Sequence, residues 1–239
     1  MTQGLRSVAN GRGLVLVVAA PLEAGAVLAG LARPDLASPV PWSRLDLGHG
    51  VSLITTGVGK AAAAGACGAL LRPQDGVVLN VGVAGTLPGT GLRLGAVVAA
   101  STSVFADEGV ETPEGFVDIA AAGFPPGDVP GVAMPCHAGV VDALRPVADA
   151  VAPIATVSTC SGTDVLAREI ERRTGAVAEG MEGAAVVLVC RRLGVPAGEL
   201  RVISNTTGDR ASQVWDMPGA LAVLSRVIGL LSLGWQRGV

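Results

Sequence analysis

Leu14-Val15-Leu16-Val17-Val18-Ala19-Ala20, followed at once by Pro21-Leu22-Glu23, is the stretch that decides the fold class. An unbroken Val- and Leu-rich run of this length reads as a β-strand buried on both faces, as in a parallel sheet covered by helices. Arg6 and Arg12 precede it and give it a passing likeness to a secretion signal, but the run is at the short limit for such a segment and Pro21 stops it. A strand that ends in a turn carrying an acid is the better reading.

Working outward, Leu22–Leu31 has helical spacing, and Arg44–Leu47 and Val51–Thr55 flank Gly48-His49-Gly50 as a hairpin. Gly57-Val58-Gly59 opens an Ala-rich helix reaching about Leu71. Val77–Val83 and Ala96–Thr102 read as strands, with a glycine-rich loop from Gly82 to Gly91 between them. The stretch from Phe105 to about Pro135 is rich in Gly, Pro and acids and reads as a long excursion of the functional kind. Further strands are expected at Ala155–Ser158, Ala176–Ala178 and Leu200–Ser204, and helices at Asp164–Arg173, Gly183–Leu193 and Pro218–Trp235. Alternating strands and helices predict an α/β protein: a single-domain three-layer αβα sandwich with a mixed, largely parallel central sheet. The domain spans 1–239, with 1–12 as a flexible N-terminal extension. In such sheets ligands bind at the carboxyl ends of strands, where Glu23, Val83-Ala84-Gly85, Met181-Glu182 and Ser204-Asn205 fall.

Half of the residues are hydrophobic, enough for a large core, and small side chains dominate, which lets helices lie close to a sheet. The formal charge is −3 and the chain has no basic stripe, so nucleic acid is not an expected partner. Charged, Pro or Gly residues interrupt every long apolar stretch, so no membrane span is expected. Cys67, Cys136, Cys160 and Cys190 are widely spaced and form no C-x-x-C pair, which predicts reduced, mostly buried thiols in a cytoplasmic protein and no metal site. His49 and His137 lack ligand spacing. Lys60 is the sole lysine. It follows Gly57-Val58-Gly59, but Ile54 and Ala61 stand where a phosphate-binding loop needs Gly and Ser or Thr.

Four segments occur in order: Gly57-Val58-Gly59-Lys60, Asn80-Val81-Gly82-Val83-Ala84-Gly85, Ala178-Glu179-Gly180-Met181-Glu182-Gly183-Ala184-Ala185 and Arg201-Val202-Ile203-Ser204-Asn205. The ordered set resembles the methylthioadenosine/S-adenosylhomocysteine nucleosidases and the nucleoside phosphorylase superfamily around them. Within that superfamily Phe105-Ala106-Asp107-Glu108-Gly109-Val110, Thr112-Pro113-Glu114-Gly115-Phe116 and the run from Ile203 to Arg210, followed by Trp215, are similar to the futalosine hydrolases. The resemblance implies hydrolysis of an N-ribosidic bond in the futalosine route to menaquinone. The products would be hypoxanthine and dehypoxanthine futalosine. It also implies a small-molecule nucleoside as partner, no cofactor, and a homo-oligomer.

The chemistry assigns roles. Ribosyl cleavage passes through an oxocarbenium-like state. A carboxylate below the ring can accept both cis-diol hydroxyls and place negative charge beside the cationic sugar; the resemblance gives this role to Glu182, with Met181 packed on the ribose. Alone, an acid there would read as favouring a helix dipole. Water needs a base, and the resemblance puts Glu23 in that position, helped by Arg201; the bland alternative is a solvated first-turn acid. At Asn205 the adenine-specific nucleosidases carry Asp. An amide can donate to a 6-oxopurine carbonyl and accept from a protonated N7, whereas a carboxylate would be repelled, though Asn is also a common cap. Ser158–Thr163 is expected to stack on the base, with Thr159, Cys160 and Ser161 all open as the contact. Val83 stands where many nucleosidases have Ser, while Ala84 and Gly85 allow close backbone approach. Arg210 and Trp215 suit a carboxyphenyl tail, one for charge and one for stacking, and read equally well as a surface and a core residue; Asp107, Glu108 and Glu111 would repel the tail and are expected to order their loop.

Rival readings remain. A purine nucleoside phosphorylase needs cations for phosphate, and Glu23 and Val83 stand where it would bind. An adenine-type nucleosidase is opposed by Asn205. A non-catalytic nucleoside-binding protein is opposed by the two intact glutamates.

Overall fold

The structure is a computed structural model and describes residues 3–236. It opens with a short helix, α1 (Gln3–Ala9), leading into β1 (Gly13–Val18), α2 (Pro21–Gly30), β2 (Ser43–Gly48), β3 (Val51–Thr55), α3 (Lys60–Leu70) and β4 (Asp75–Thr86). There follow β5 (Val97–Phe105), a small hairpin β6 (Gly109–Thr112) and β7 (Gly115–Asp118), β8 (Ala133–Pro135), α4 (Ala138–Leu144) and β9 (Ala150–Thr156). The chain ends with α5 (Asp164–Thr174), β10 (Ala178–Gly180), α6 (Gly183–Arg192), β11 (Ala197–Thr206) and α7 (Met217–Gln236).

The central sheet runs β10-β9-β5-β11-β4-β1-β3-β2, with β8 added beside β5. β1 lies parallel to β3 and β4, and β4 parallel to β11. β5 then runs antiparallel to β11 but parallel to β9. The sheet is mixed and helix-covered as expected, with one addition. β10 also pairs antiparallel with β4, through Ala178 to Thr86 and Glu179 to Gly85. Strands β4, β11, β5, β9 and β10 therefore close into a ring at one end of the sheet.

One face is buried under α1, α2, α4 and α7, through Leu5, Val27, Leu28, Leu144, Leu224 and Ile228 among others. The opposite face lies under α3 and α6, through Ala63, Cys67, Val186 and Cys190. Each buried Val or Leu contributes roughly 1.5–3 kcal/mol relative to exposure. α5 covers a smaller cluster built on Ala155, Val157 and Ile170. Its ends are set locally: the Thr163 hydroxyl accepts the Leu166 N–H, and Gly175 turns the chain out in the left-handed region.

The expectation of a flexible extension over 1–12 is corrected for the described part. Residues 3–9 are helical, and Leu5 and Ala9 are buried in the main core. β4 also runs on to Thr86, where a loop was expected from Gly82. It stays extended because β11 pairs with it as far as Thr86 and β10 pairs with its end. β9 begins at Ala150, ahead of the expected Ala155, and α4 fills a stretch left unassigned.

Candidate active site

The carboxyl ends of β1, β4 and β11 open on a cavity of about 390 Å³. Glu23, Val83, Ala84, Gly85, Cys160, Met181, Glu182, Ser204, Asn205, Arg210 and Trp215 all line it. Arg201 does not; it lies behind the wall, with 1% of its surface exposed.

Glu23 sits in the first turn of α2, where its Oε2 accepts the N–H groups of Ala19 and Ala20, both at 3.0 Å. Oε1 accepts the Val83 N–H from β4 at 2.9 Å. It thus caps its own helix, yet it is buried rather than solvated. Burial pushes its carboxyl above the usual range; Arg201 opposes this, Glu182 adds to it, and the N–H groups oppose it. A carboxyl held in place and made more basic suits proton abstraction from water. Gly82 makes this geometry possible, since a Cβ there would overlap Glu23 Oε1 and Arg201 Nη1.

Glu182 ends the segment after β10 and stands at the head of α6. Its Oε1 accepts the Gly59 N–H at 3.0 Å, and its Oε2 accepts Arg201 Nη2 at 3.1 Å. Gly59 holds φ at +97°, a conformation open to glycine, which aims its N–H from the turn before α3 at the acid. Arg201 lies close to Glu23, both reaching the space beside Gly82, but makes no hydrogen bond to it. It hydrogen bonds Glu182, Asn80 Oδ1 at 2.9 Å and Glu199 Oε1 at 2.8 Å, and acts on Glu23 through its charge.

Asn205 is held on both sides. Its Nδ2 donates to the Thr206 carbonyl and its Oδ1 accepts from Ser204 Oγ, each at 2.9 Å. A carbonyl can only accept, so the amide orientation is fixed, leaving one N–H and one oxygen lone pair to offer a ligand. That is the donor–acceptor pair a 6-oxopurine edge requires. Asn205→Asp would set a carboxylate against the Thr206 carbonyl and the purine oxygen together. Loss of one such buried hydrogen bond costs about 1–3 kcal/mol. The expected result is a kcat/KM for 6-oxopurine nucleosides lowered roughly 5- to 150-fold, read by purine release; an unchanged value removes Asn205 from base recognition.

The far wall is the Ser158–Thr163 loop. Ser161 donates its N–H and hydroxyl to Glu179, at 2.8 and 2.6 Å. Glu179 is buried and lines the cavity, and burial raises its carboxyl pKa first, against the Ser161 bonds. The sequence reading missed it, although an acid amid the small residues of Ala176–Gly180 was a visible signal. Cys160 faces the cavity with Sγ 3.5 Å from Met181 Sδ, and burial raises its thiol. At the mouth Arg210 lies over the Trp215 ring at 5.1 Å, and Gln213 ties both to the Ser161 carbonyl. Gln213 too was not foreseen.

Lys60 acquires a place here. Its Nζ pairs with Asp107 at 2.5 Å and Glu108 at 3.2 Å. The other Asp107 oxygen accepts the N–H groups of Ser158 and Thr159. The ion pair therefore joins the turn that holds Glu182 to the start of the Ser158–Thr163 loop. Lys60→Met would strip the charge from a mostly buried pair, a loss of about 1–3 kcal/mol, expected to lower Tm by roughly 2–12 °C. KM should rise more than kcat falls, with Lys60→Arg partly restoring both. An unaltered Tm and KM would leave the pair without this role.

The chain belongs to the phosphorylase superfamily, whose family model matches residues 16–228. Among individual relatives it is 36% identical to the futalosine hydrolase of Acidothermus cellulolyticus over 231 residues, 92% of this chain and 91% of that one. The futalosine hydrolase of Streptomyces coelicolor is 33% identical over 92% of this chain and 94% of its own. The chain is thus a member of the futalosine hydrolase family. In three dimensions it is similar to the methylthioadenosine/S-adenosylhomocysteine nucleosidase of Neisseria meningitidis, with a TM-score of 0.71 and 20% identity over 92% of this chain and 98% of that one. That likeness speaks for the fold.

Proposed function

We propose that this protein hydrolyses the N-ribosidic bond of futalosine, releasing hypoxanthine and dehypoxanthine futalosine. One observation carries the reading: Glu23, Glu182 and Asn205, far apart in sequence, open on one cavity. The names of the relatives support the substrate.

On this reading Glu23 takes a proton from the attacking water, as its raised basicity favours. Glu182 accepts the ribose diol and lends negative charge to the oxocarbenium-like sugar. Asn205 reads the purine edge, and Met181 and the 158–163 loop enclose the nucleoside. Arg210 and Trp215, at the mouth, receive the carboxyphenyl tail. Arg210 is the sole cationic side chain among the described residues lining the cavity, and three carboxyls, those of Glu23, Glu179 and Glu182, line it with Arg210. That supports water over phosphate as the nucleophile.

Leu22, Val58 and Trp215 line the mouth and are exposed, which supports a second copy of the chain covering it. We place the protein in the cytoplasm; no helix among the described residues is long and apolar enough to cross a membrane. The test is purine release from futalosine with and without phosphate. Hypoxanthine in both is expected. A phosphate requirement makes the protein a phosphorylase, and adenine from methylthioadenosine with nothing from futalosine overturns the substrate.

A further inference from the structure

Behind the cavity wall lies a third glutamate. Glu199 on β11 is fully buried and points to the same face as Arg201, two residues on. Its Oε1 accepts Arg201 Nε at 2.8 Å, and its Oε2 accepts the Ser103 hydroxyl of β5 at 2.5 Å. Space for it is cut by Gly183, where a Cβ would overlap the carboxylate. Nothing in the reaction as proposed above touches Glu199, and a carboxylate removed from water carries a large desolvation cost unless paired.

Its surroundings indicate what the pairing does. A guanidinium presents a fixed fork of donors. Glu199 holds the Nε edge, while Nη2 reaches Asn80 and Glu182. The orientation that delivers Nη2 to Glu182 is thereby fixed from the side away from the cavity. Charge matters as well. Burial alone would lower the Arg201 pKa; Glu199, then Glu182, then Glu23 outweigh it and raise it. One cation is shared by three carboxyls.

We propose that Glu199 is a positioning residue for the reaction: it aims Arg201 at Glu182 and absorbs positive charge that would otherwise bear on Glu23 and weaken it as a base. The ionisable groups facing Glu199 are Arg201 on its own strand, Cys136 after β8 and, across Arg201, Glu182 at the head of α6 and Glu23 in α2. Burial, with Glu199 adding to it, pushes the Cys136 thiol up to about 12, so it stays uncharged at working pH. Arg201 is therefore the link between Glu199 and the two cavity acids.

The inference rests on the reading of Glu23 and Glu182 above, and two variants separate charge from position. In Glu199→Gln the amide oxygen still accepts Arg201 Nε–H and the amide N–H can donate to Ser103 Oγ, so the hydrogen bonds persist while the charge is gone. Released positive charge then makes Glu23 more acidic. The acid limb of kcat/KM should move to lower pH, and plateau kcat should drop roughly 3- to 30-fold as the base weakens, with KM within about twofold. In Glu199→Asp the charge stays and the reach shortens; kcat should fall while the acid limb stays at its wild-type position. A merely structural pair would lower Tm and leave the limb unmoved. A substrate-free readout accompanies these: the 15N–1H signal of Arg201 Nε should shift in Glu199→Gln. If the wild-type protein fails to cleave futalosine, the proposed function falls while this signal still tests Glu199. A wild-type limb and kcat in folded Glu199→Gln, or an unmoved Nε signal, overturns the proposal. Should Glu199→Gln fail to fold, wild-type kcat in Glu199→Asp overturns it instead.

Discussion

Glu23→Gln should release purine roughly 10²- to 10⁴-fold more slowly than the wild-type protein, the usual worth of a positioned general base. The loss should fall on kcat and kcat/KM together, because in the proposed role the carboxylate acts on water and not on the nucleoside. The pH profile gives a sharper check. Burial raises the Glu23 carboxyl above its ordinary value of 4.5, with Arg201 holding it back. A base must be deprotonated to work, so wild-type kcat/KM should climb with pH through an apparent pKa above 4.5, and that limb should vanish in Glu23→Gln. Three N–H groups converge on this carboxylate. An amide offers them a single oxygen, so Tm must be followed alongside. The same raised pKa sets the stability contribution. It is fully present below the unfolded value of 4.5 and is lost as pH rises through the folded one. A folded Glu23→Gln with wild-type rate would end the assignment.

Glu182→Gln is expected to lower kcat about 10²- to 10³-fold, comparable to removing one preorganised group that stabilises transition-state charge. Two losses combine. Negative charge beside the sugar disappears, and the amide nitrogen faces Arg201 Nη2, which now sits 3.1 Å from Glu182 Oε2. The Gly59 N–H can still find the amide oxygen, so the turn before α3 should hold. The proposed diol role has its own signature: the penalty should shrink for a 2′-deoxy nucleoside, which lacks one of the hydroxyls the carboxylate would accept. An equal penalty for ribo- and deoxyribonucleosides would remove Glu182 from the diol.

The strands that build the cavity were readable where the chain is uniform. Leu14–Ala20 has no polar residue to confuse its period, and Gly48-His49-Gly50 marks its hairpin openly. The cavity residues were readable where an acid or amide interrupts small apolar neighbours, as at Glu23, Glu182 and Asn205. What escaped depends on partners distant in sequence. Nothing in Gly198-Glu199-Leu200 reveals that Glu199 meets Ser103, ninety-six positions away. The sequence places Arg201 near the acids but does not show that it hydrogen bonds Glu182, because that orientation rests on Asn80 and Glu199 behind it. Helix α1 was missed since it carries no acidic first turn and is held by burial of Leu5 and Ala9 rather than by local signals.

The closing of β10 onto β4 makes the cavity lopsided in how its walls are held. The backbone that delivers Met181 and Glu182 is laced into two neighbours, β9 and β4, and cannot swing aside without unzipping both. The opposite rim, from Thr207 to Trp215, carries no strand; it is fastened point by point, by the backbone of Thr207 to Thr86 and of Arg210 to Gly162, by the bridge between Asn205 and Trp215, and by ties from Asp209 and Gln213. The two sides of the mouth are thus built differently, one as a woven jamb of paired strands and the other as a loop pinned at separate points.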